Sequence, residues 1–155
     1  MANALQLRQF LPYRLSDLAE RVSRGLAQSY SRDFDLTVAE WRVLATLAEH
    51  GALQARQVAR WTNLDKVRVS RAVSRLVERG LLRRRRNAQD LRTADLTLTR
   101  AGEDLVATIA PRALAWEARL LDGLPPAEQA ALKRALALLE ARLDALEALD
   151  GQGPP

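Results

Sequence analysis

Apolar positions recur at helical spacing along most of this chain. Leu15, Leu18, Val22 and Leu26 stand three or four residues apart, which predicts an amphipathic helix over 13–30. Residues 33–36 read as a connection. Thr37 with Glu40 three residues on is a capping-box pair, opening a second helix that carries Leu44 and Leu47 and ends at His50. Gly51 stops it. Leu53 reads as a short strand. A third helix is expected over 54–61, with Val58 and Trp61 inward. Residues 62–64 form a turn, and Asp65 caps a fourth helix running to Arg79. Val69, Val73, Leu76 and Val77 form its inward face, and Gly80 ends it.

The pattern then changes to period two. Residues 81–86 and 93–98 read as two strands, with Ala94, Leu96 and Leu98 on one side and Asp95 and Thr97 on the other. The connection 87–92 has turn chemistry and charge. Thr99 caps a long helix over 100–121, expected to be interrupted near Pro111. Gly123-Leu124-Pro125-Pro126 breaks the chain before a last helix over 127–149. Two short helices joined by a few turn residues make a helix-turn-helix, and the hairpin after them is a wing. The fold class is therefore mainly α with a small β-hairpin wing. The division expected is an N-terminal dimerisation helix (1–34), a winged helix-turn-helix (35–100), C-terminal dimerisation helices (101–150) and a disordered tail (151–155).

The last helix carries Leu132, Leu136, Leu139, Leu143 and Leu146 at spacings of 4, 3, 4 and 3, a heptad seam. Packing inside one subunit would produce the same spacing, and periodicity alone does not choose. Val106, Ile109, Leu114, Leu120 and Leu121 add more apolar surface than a small winged domain can cover, which favours a homodimer. Leu15 and Leu18 of the first helix join Leu132, Leu136, Leu139 and Leu143 as candidate interface residues.

Charge changes the picture through its placement. The net charge is +5, but residues 54–100 hold thirteen Lys/Arg against four Asp/Glu, so this stretch is +9 and the remainder −4. A basic middle between acidic ends suits a polyanionic partner, double-stranded DNA above all. With no cysteine and a single histidine, His50, the chain offers neither a thiolate nor a zinc ligand set, and no catalytic constellation is present. His50 reads as a helix-end residue favoured by the helix dipole. No cofactor, metal, enzyme activity or membrane span is expected, and the N-terminus lacks a signal-peptide pattern, which points to the cytoplasm.

The fourth helix shows Lys66, Arg68, Ser70, Arg71, Ser74 and Arg75 on its exposed face if Val69, Val73 and Leu76 face inward. Arginine pairs bidentately with guanine, serine bonds phosphates or base edges, and Val67 near the helix start can touch a thymine methyl. In the run Arg83-Arg84-Arg85-Arg86 alternate residues share a face, so two of the four, Arg84 and Arg86, are candidates for the phosphate backbone. Arg92 near the wing tip is placed to enter a minor groove, and Asp90 to hold the loop.

Five stretches taken in order carry a resemblance: Trp41 to Leu44, Leu64 to Arg71, Leu76 to Leu81, Asp90 to Arg92 and Leu98 to Gly102, with Leu11 to Leu15 near the start. As an ordered set at these spacings they resemble the MarR family of bacterial transcription regulators, over nearly the whole chain. The resemblance implies a triangular dimer with a winged lobe from each subunit. It implies that Asp90 braces the wing and Arg92 reaches the minor groove. Leu91 departs from the basic residue common there, and Gln54 stands where a better helix cap is common. The resemblance also implies a small-molecule effector, often an anionic aromatic, between the dimer helices and the DNA-binding lobe. Tyr13, Arg14, Tyr30, Trp41 and Trp116 are the candidate pocket walls. The function expected is a sequence-specific regulator, in such families most often a repressor, on a pseudo-palindromic operator. The alternatives are a non-specific architectural DNA binder and a winged helix used as a protein-interaction module.

Overall fold

The computed structural model describes residues 5–86 and 94–150. Two compact units divide the chain, 1–116 and 117–155. The first holds helix α1 (Leu11–Ala27), the short α2 (Ser31–Phe34), α3 (Val38–His50), strand β1 (Leu53–Gln54), α4 (Ala55–Thr62), α5 (Lys66–Glu78), β2 (Leu82–Arg86), β3 (Ala94–Leu98) and the start of α6 (Arg100–Leu121). The second holds the end of α6 and α7 (Pro126–Asp150). The expected tail 151–155 lies outside the described residues, as does the wing loop with Asp90 and Arg92.

Local chemistry explains most element ends. Pro12 sits in the first turn of α1, where a missing N–H costs nothing. The Thr37 hydroxyl accepts from Glu40 N at 3.2 Å and the Glu40 carboxylate accepts from Thr37 N at 2.7 Å, so the capping box of α3 is complete. Gly51 then takes φ +76°, a conformation that a side chain would strain. Asp65 Oδ1 accepts from Arg68 N at 2.8 Å and starts α5. At α4, Gln54 N donates to Gln57 Oε1 at 2.8 Å, so glutamine supplies the cap chemistry that its position lacked on paper.

Three expectations are corrected. Residues 33–36 are not a plain connection: α2 covers 31–34, and Asp35 turns the chain in the left-handed region at φ 49°. Trp61 does not face inward. Val58 and Thr62, one turn apart, take the buried side of α4, and Trp61, offset by one position, is 62% exposed with its ring stacked on His50 at 4.1 Å. Thr62 tolerates burial because its hydroxyl donates to Val58 O at 2.7 Å. Finally, α6 is continuous through Pro111. The proline forfeits one helical hydrogen bond without breaking the helix.

The core of the first unit surrounds α3. Val43, Leu44, Val58, Leu76 and Ile109 are wholly buried, drawn from α3, α4, α5 and α6. Each contributes about 1.5–3 kcal/mol of burial. The sheet is antiparallel in the order β1-β3-β2, with Leu53 opposite Leu96 and Leu82 opposite Leu98. Leu96 is buried against the helices, which fixes the register of the wing. Thr99 locks the start of α6 onto the end of α5. Its N–H donates to Leu81 O at 3.0 Å, its hydroxyl donates to Gly80 O at 2.6 Å and accepts from Gly102 N at 3.1 Å. Gly102 permits this closeness, since a Cβ there would stand 2.2 Å from the Leu81 carbonyl oxygen.

Tyr30 is 1% exposed, its ring 5.4 Å from that of Trp41, and its hydroxyl has no partner among the described residues. Burial pushes its phenol up to about 12, against an opposing pull from Arg42. Arg42 itself donates to Ser23 Oγ at 2.9 Å and to Thr62 O at 3.4 Å.

Two stability measurements follow from this packing. Gly102→Ala is expected to cost about 1–3 kcal/mol in chemical denaturation, because backbone must move. Gly123→Ala, with nothing within 4 Å of the new methyl, stays within about 0.5 kcal/mol. Tyr30→Phe removes an unpartnered buried hydroxyl and is expected to be neutral or stabilising by about 1 kcal/mol. The raised phenol pKa favours the neutral form in the fold. Its contribution is complete below the ordinary value of 10.0 and is lost as pH rises through about 12. The alkaline unfolding of wild type should therefore steepen over that window relative to Tyr30→Phe.

Candidate nucleic-acid interface

The outward face of α5 is what its buried face leaves over. Val69, Ala72, Val73 and Leu76 point into the core. Lys66, Val67, Arg68, Ser70 and Arg71 are exposed, and Val67 shows 58% of its surface. Lys66, Arg68 and Arg71 form no ion pair among the described residues, so their donors stay open to an incoming polyanion.

The wing register decides which arginines join them. Arg84 lies opposite Leu96 and Arg86 opposite Ala94, whereas Arg83 lies opposite Thr97 and Arg85 opposite Asp95. Side chains opposite one another in an antiparallel pair share a face. Arg84 and Arg86 therefore share the Leu96 face, and Arg84 Nη2 reaches Ser74 Oγ on α5 at 3.4 Å. Arg83 turns to the other face and donates from Nε to Thr97 Oγ1 at 3.0 Å.

Between α4, α5 and the wing lies a cleft of about 400 Å³. Val69, Val73 and Leu96 contribute apolar surface to it, and Arg56, Lys66 and Arg84 contribute positive charge. Arg56 was not among the residues singled out from sequence. Its position in the first turn of α4 is visible there, but its convergence with Lys66 and Arg84 is a property of the fold.

Two of the expected residues are placed differently. Ser74 is half-buried under Arg84. Arg75 turns away from the open face. Its Nη2 donates to Asp35 Oδ2 at 2.7 Å and its Nε lies 3.2 Å from Glu40 Oε1. Glu40 is 2% exposed, and a buried carboxylate holds its partner far more tightly than water would. The five candidate pocket residues line no single cavity among the described residues. Tyr30 and Trp41 are spent on the core, Tyr13 and Arg14 line an open groove on α1 with Asp17 and Arg21, and the Trp116 ring packs on Gly25.

The MarR family model matches residues 34–93, from the end of α2 to the residue before β3. The transcriptional repressor MdtR of Bacillus subtilis is 29% identical over 103 residues, 66% of each chain. The structure of BpsR from Bordetella bronchiseptica, described with the regulation of its DNA binding by 6-hydroxynicotinic acid, superposes with a TM-score of 0.75 at 29% identity. It covers 84% of this chain and 98% of that one. The PcaV regulator of Streptomyces coelicolor, solved with its natural ligand, superposes at a TM-score of 0.75 and 27% identity, covering 94% and 99%.

Over residues 34–93 the chain is similar to the MarR family of regulators.

Its winged helix-turn-helix is the family architecture. The match to MdtR spans slightly less than two thirds of that protein. Among the described residues no helix is long and apolar enough to cross a membrane.

A salt titration tests the assignment of wing faces. Arg84→Ala is expected to shrink the log–log salt slope of DNA binding by roughly 1 per wing engaged. Arg83→Ala, on the opposite face, should leave the slope unchanged.

Proposed function

We propose that this MarR-like chain is a sequence-specific, DNA-binding transcriptional repressor that acts as a homodimer on a pseudo-palindromic operator. The observation that carries the reading is the cationic surface of Lys66, Arg68 and Arg71, which form no ion pair among the described residues, continued by Arg84 and Arg86. A helix presenting open arginines beside small hydroxyls suits major-groove edges, and the wing arginines suit the flanking backbone. Asp90 and Arg92 belong to the same proposal through the resemblance alone, as brace and minor-groove contact.

Exposed leucines support the dimer. Leu132, Leu136, Leu139 and Leu143 of α7 are each 37–56% exposed, and Leu15 and Leu18 of α1 are exposed too. A single subunit thus leaves the heptad seam uncovered, and a second copy is the occupant with the same periodicity. Two recognition helices held at a fixed separation then read half-sites roughly 10 bp apart. For regulation we infer a small organic acid as effector, in keeping with the 6-hydroxynicotinic acid that regulates DNA binding by the similar BpsR. Tyr13 and Arg14 in the open α1 groove are the proposed contacts, and Tyr30, Trp41 and Trp116 are proposed only as supporting packing. Such a ligand must favour the arrangement that does not bind DNA, and DNA must weaken the ligand by the same factor.

Selection from a random DNA pool, followed by titration of the selected duplex, tests the function. A palindromic consensus is expected, with roughly 10³-fold or greater preference over random DNA. Arg71→Ala should cost about 1–3 kcal/mol and relax one position per half-site. Leu136→Asp with Leu139→Asp should give monomers and remove most of the affinity for the full site. Tight binding of that site by monomers would overturn the dimer, and equal affinity for all sequences would overturn specificity.

A further inference from the structure

Residues 33–35 are held from two sides. On one side stands α5. Arg79 Nη1 donates to Asp35 O and Arg79 Nη2 to Phe34 O, both at 2.8 Å, and Arg75 pairs with the Asp35 carboxylate at 2.7 Å. Arg75 and Arg79 are one turn apart, so both guanidinium groups leave the same side of α5. On the other side stands α6. Arg112 pairs with Asp33, and its guanidinium lies 5.0 Å from the centre of the Phe34 ring. Between the two grips the backbone of Asp35 sits at φ 49°. Aspartate tolerates that conformation better than most residues, yet it remains costly unless its surroundings hold it.

We propose that the 33–35 corner is a positioning clamp that sets the orientation of the proposed recognition helix α5 and couples it to α6. Arg75 and Arg79 are positioning residues that act through Phe34, Asp35 and the buried Glu40, not contacts to DNA. This rests on the DNA-binding reading for its consequence, but not for its geometry. Charge alone makes the opposite forecast. Asp33 and Asp35 are acids beside a cationic surface, so neutralising either should tighten binding to any polyanion. If the clamp matters more than the charge, Asp35→Asn weakens the selected site even though it removes a negative charge. Asparagine keeps the left-handed backbone comfortable, so the variant tests the pairing and not the turn.

Amide hydrogen exchange of the full chain tests the clamp without DNA. Asp35→Asn and Arg75→Gln should each speed exchange in the C-terminal half of α5 by roughly three- to tenfold, and the double variant should add little. Arg112→Gln, on a different helix, should speed exchange in the same stretch. Unchanged exchange in α5 would overturn the clamp, and an effect of Arg75 without one of Arg112 would overturn the coupling to α6. The second readout is preference for the selected duplex over random DNA. It should fall by roughly three- to tenfold in Asp35→Asn and Arg75→Gln with the salt slope unchanged, and Arg75→Lys should restore part of it. A merely destabilised fold would lower both DNAs together. If Arg75→Gln weakens both DNAs equally and lowers the slope by roughly 1 per subunit, Arg75 is a phosphate contact and the positioning role fails. A wild-type protein with no sequence preference would sink the proposed function, and exchange alone would then decide the clamp.

Discussion

A single buried carboxylate organises the proposed DNA-binding lobe. Glu40 is withdrawn from water at the first turn of α3, and an ionised group in that position must be paired. It accepts from Thr37 N, which completes the helix cap, and it faces Arg75 of α5 at 3.2 Å. One side chain thus defines where α3 begins and where α5 lies beside it. The hydrophobic contacts of Val43, Leu44 and Leu76 provide more energy, but apolar packing is non-directional. The ion pair supplies direction, because a guanidinium fork accepts a carboxylate in few geometries.

This constraint divides the cations of α5 into two populations. Lys66, Arg68 and Arg71 lie in the N-terminal half and form no ion pair among the described residues. Arg75 in the C-terminal half and Arg79 at the C-cap are consumed by Glu40, Asp35 and the carbonyls of 34 and 35. The helix therefore presents charge at one end and is anchored at the other. In the proposed function, a helix anchored in this way would enter a groove at a defined angle, whereas one whose cations were all free would attract DNA without orienting on it. The wing follows the same economy. The register against β3 places Arg84 and Arg86 on the face shared with α5 and turns Arg83 to Thr97.

The helices, the capping box, the helix-turn-helix and the hairpin were legible in the sequence because each is specified within a few residues. Caps, glycine stops and apolar period act locally. The basic middle and the leucine seam of α7 were legible for the same reason. The fates of Arg75, Trp61 and Pro111 were not. Arg75 has the exposure pattern of a surface cation until a carboxylate 35 residues away claims it. Trp61 competes with Thr62 for the inner side of α4, and which wins depends on how α4 meets α3 and α5. Pro111 lies in a helix held by Ile109 in the core, and this outweighs one missing hydrogen bond.

The sequence by itself determined the family resemblance, the order of the main elements and the location of positive charge, since all three are written in short-range spacing and composition. The tertiary structure decided which cations remain available. Arg56, Lys66 and Arg84 meet around one cleft although they come from α4, α5 and β2. Arg75 is withdrawn, and of the five residues expected to line a pocket Tyr30 and Trp41 pack in the core while Tyr13 and Arg14 line an open groove on α1. The physical reason is distance. Electrostatic pairing and burial depend on separation in space, falling off within a few ångströms to one Debye length, and separation along the chain carries no record of it.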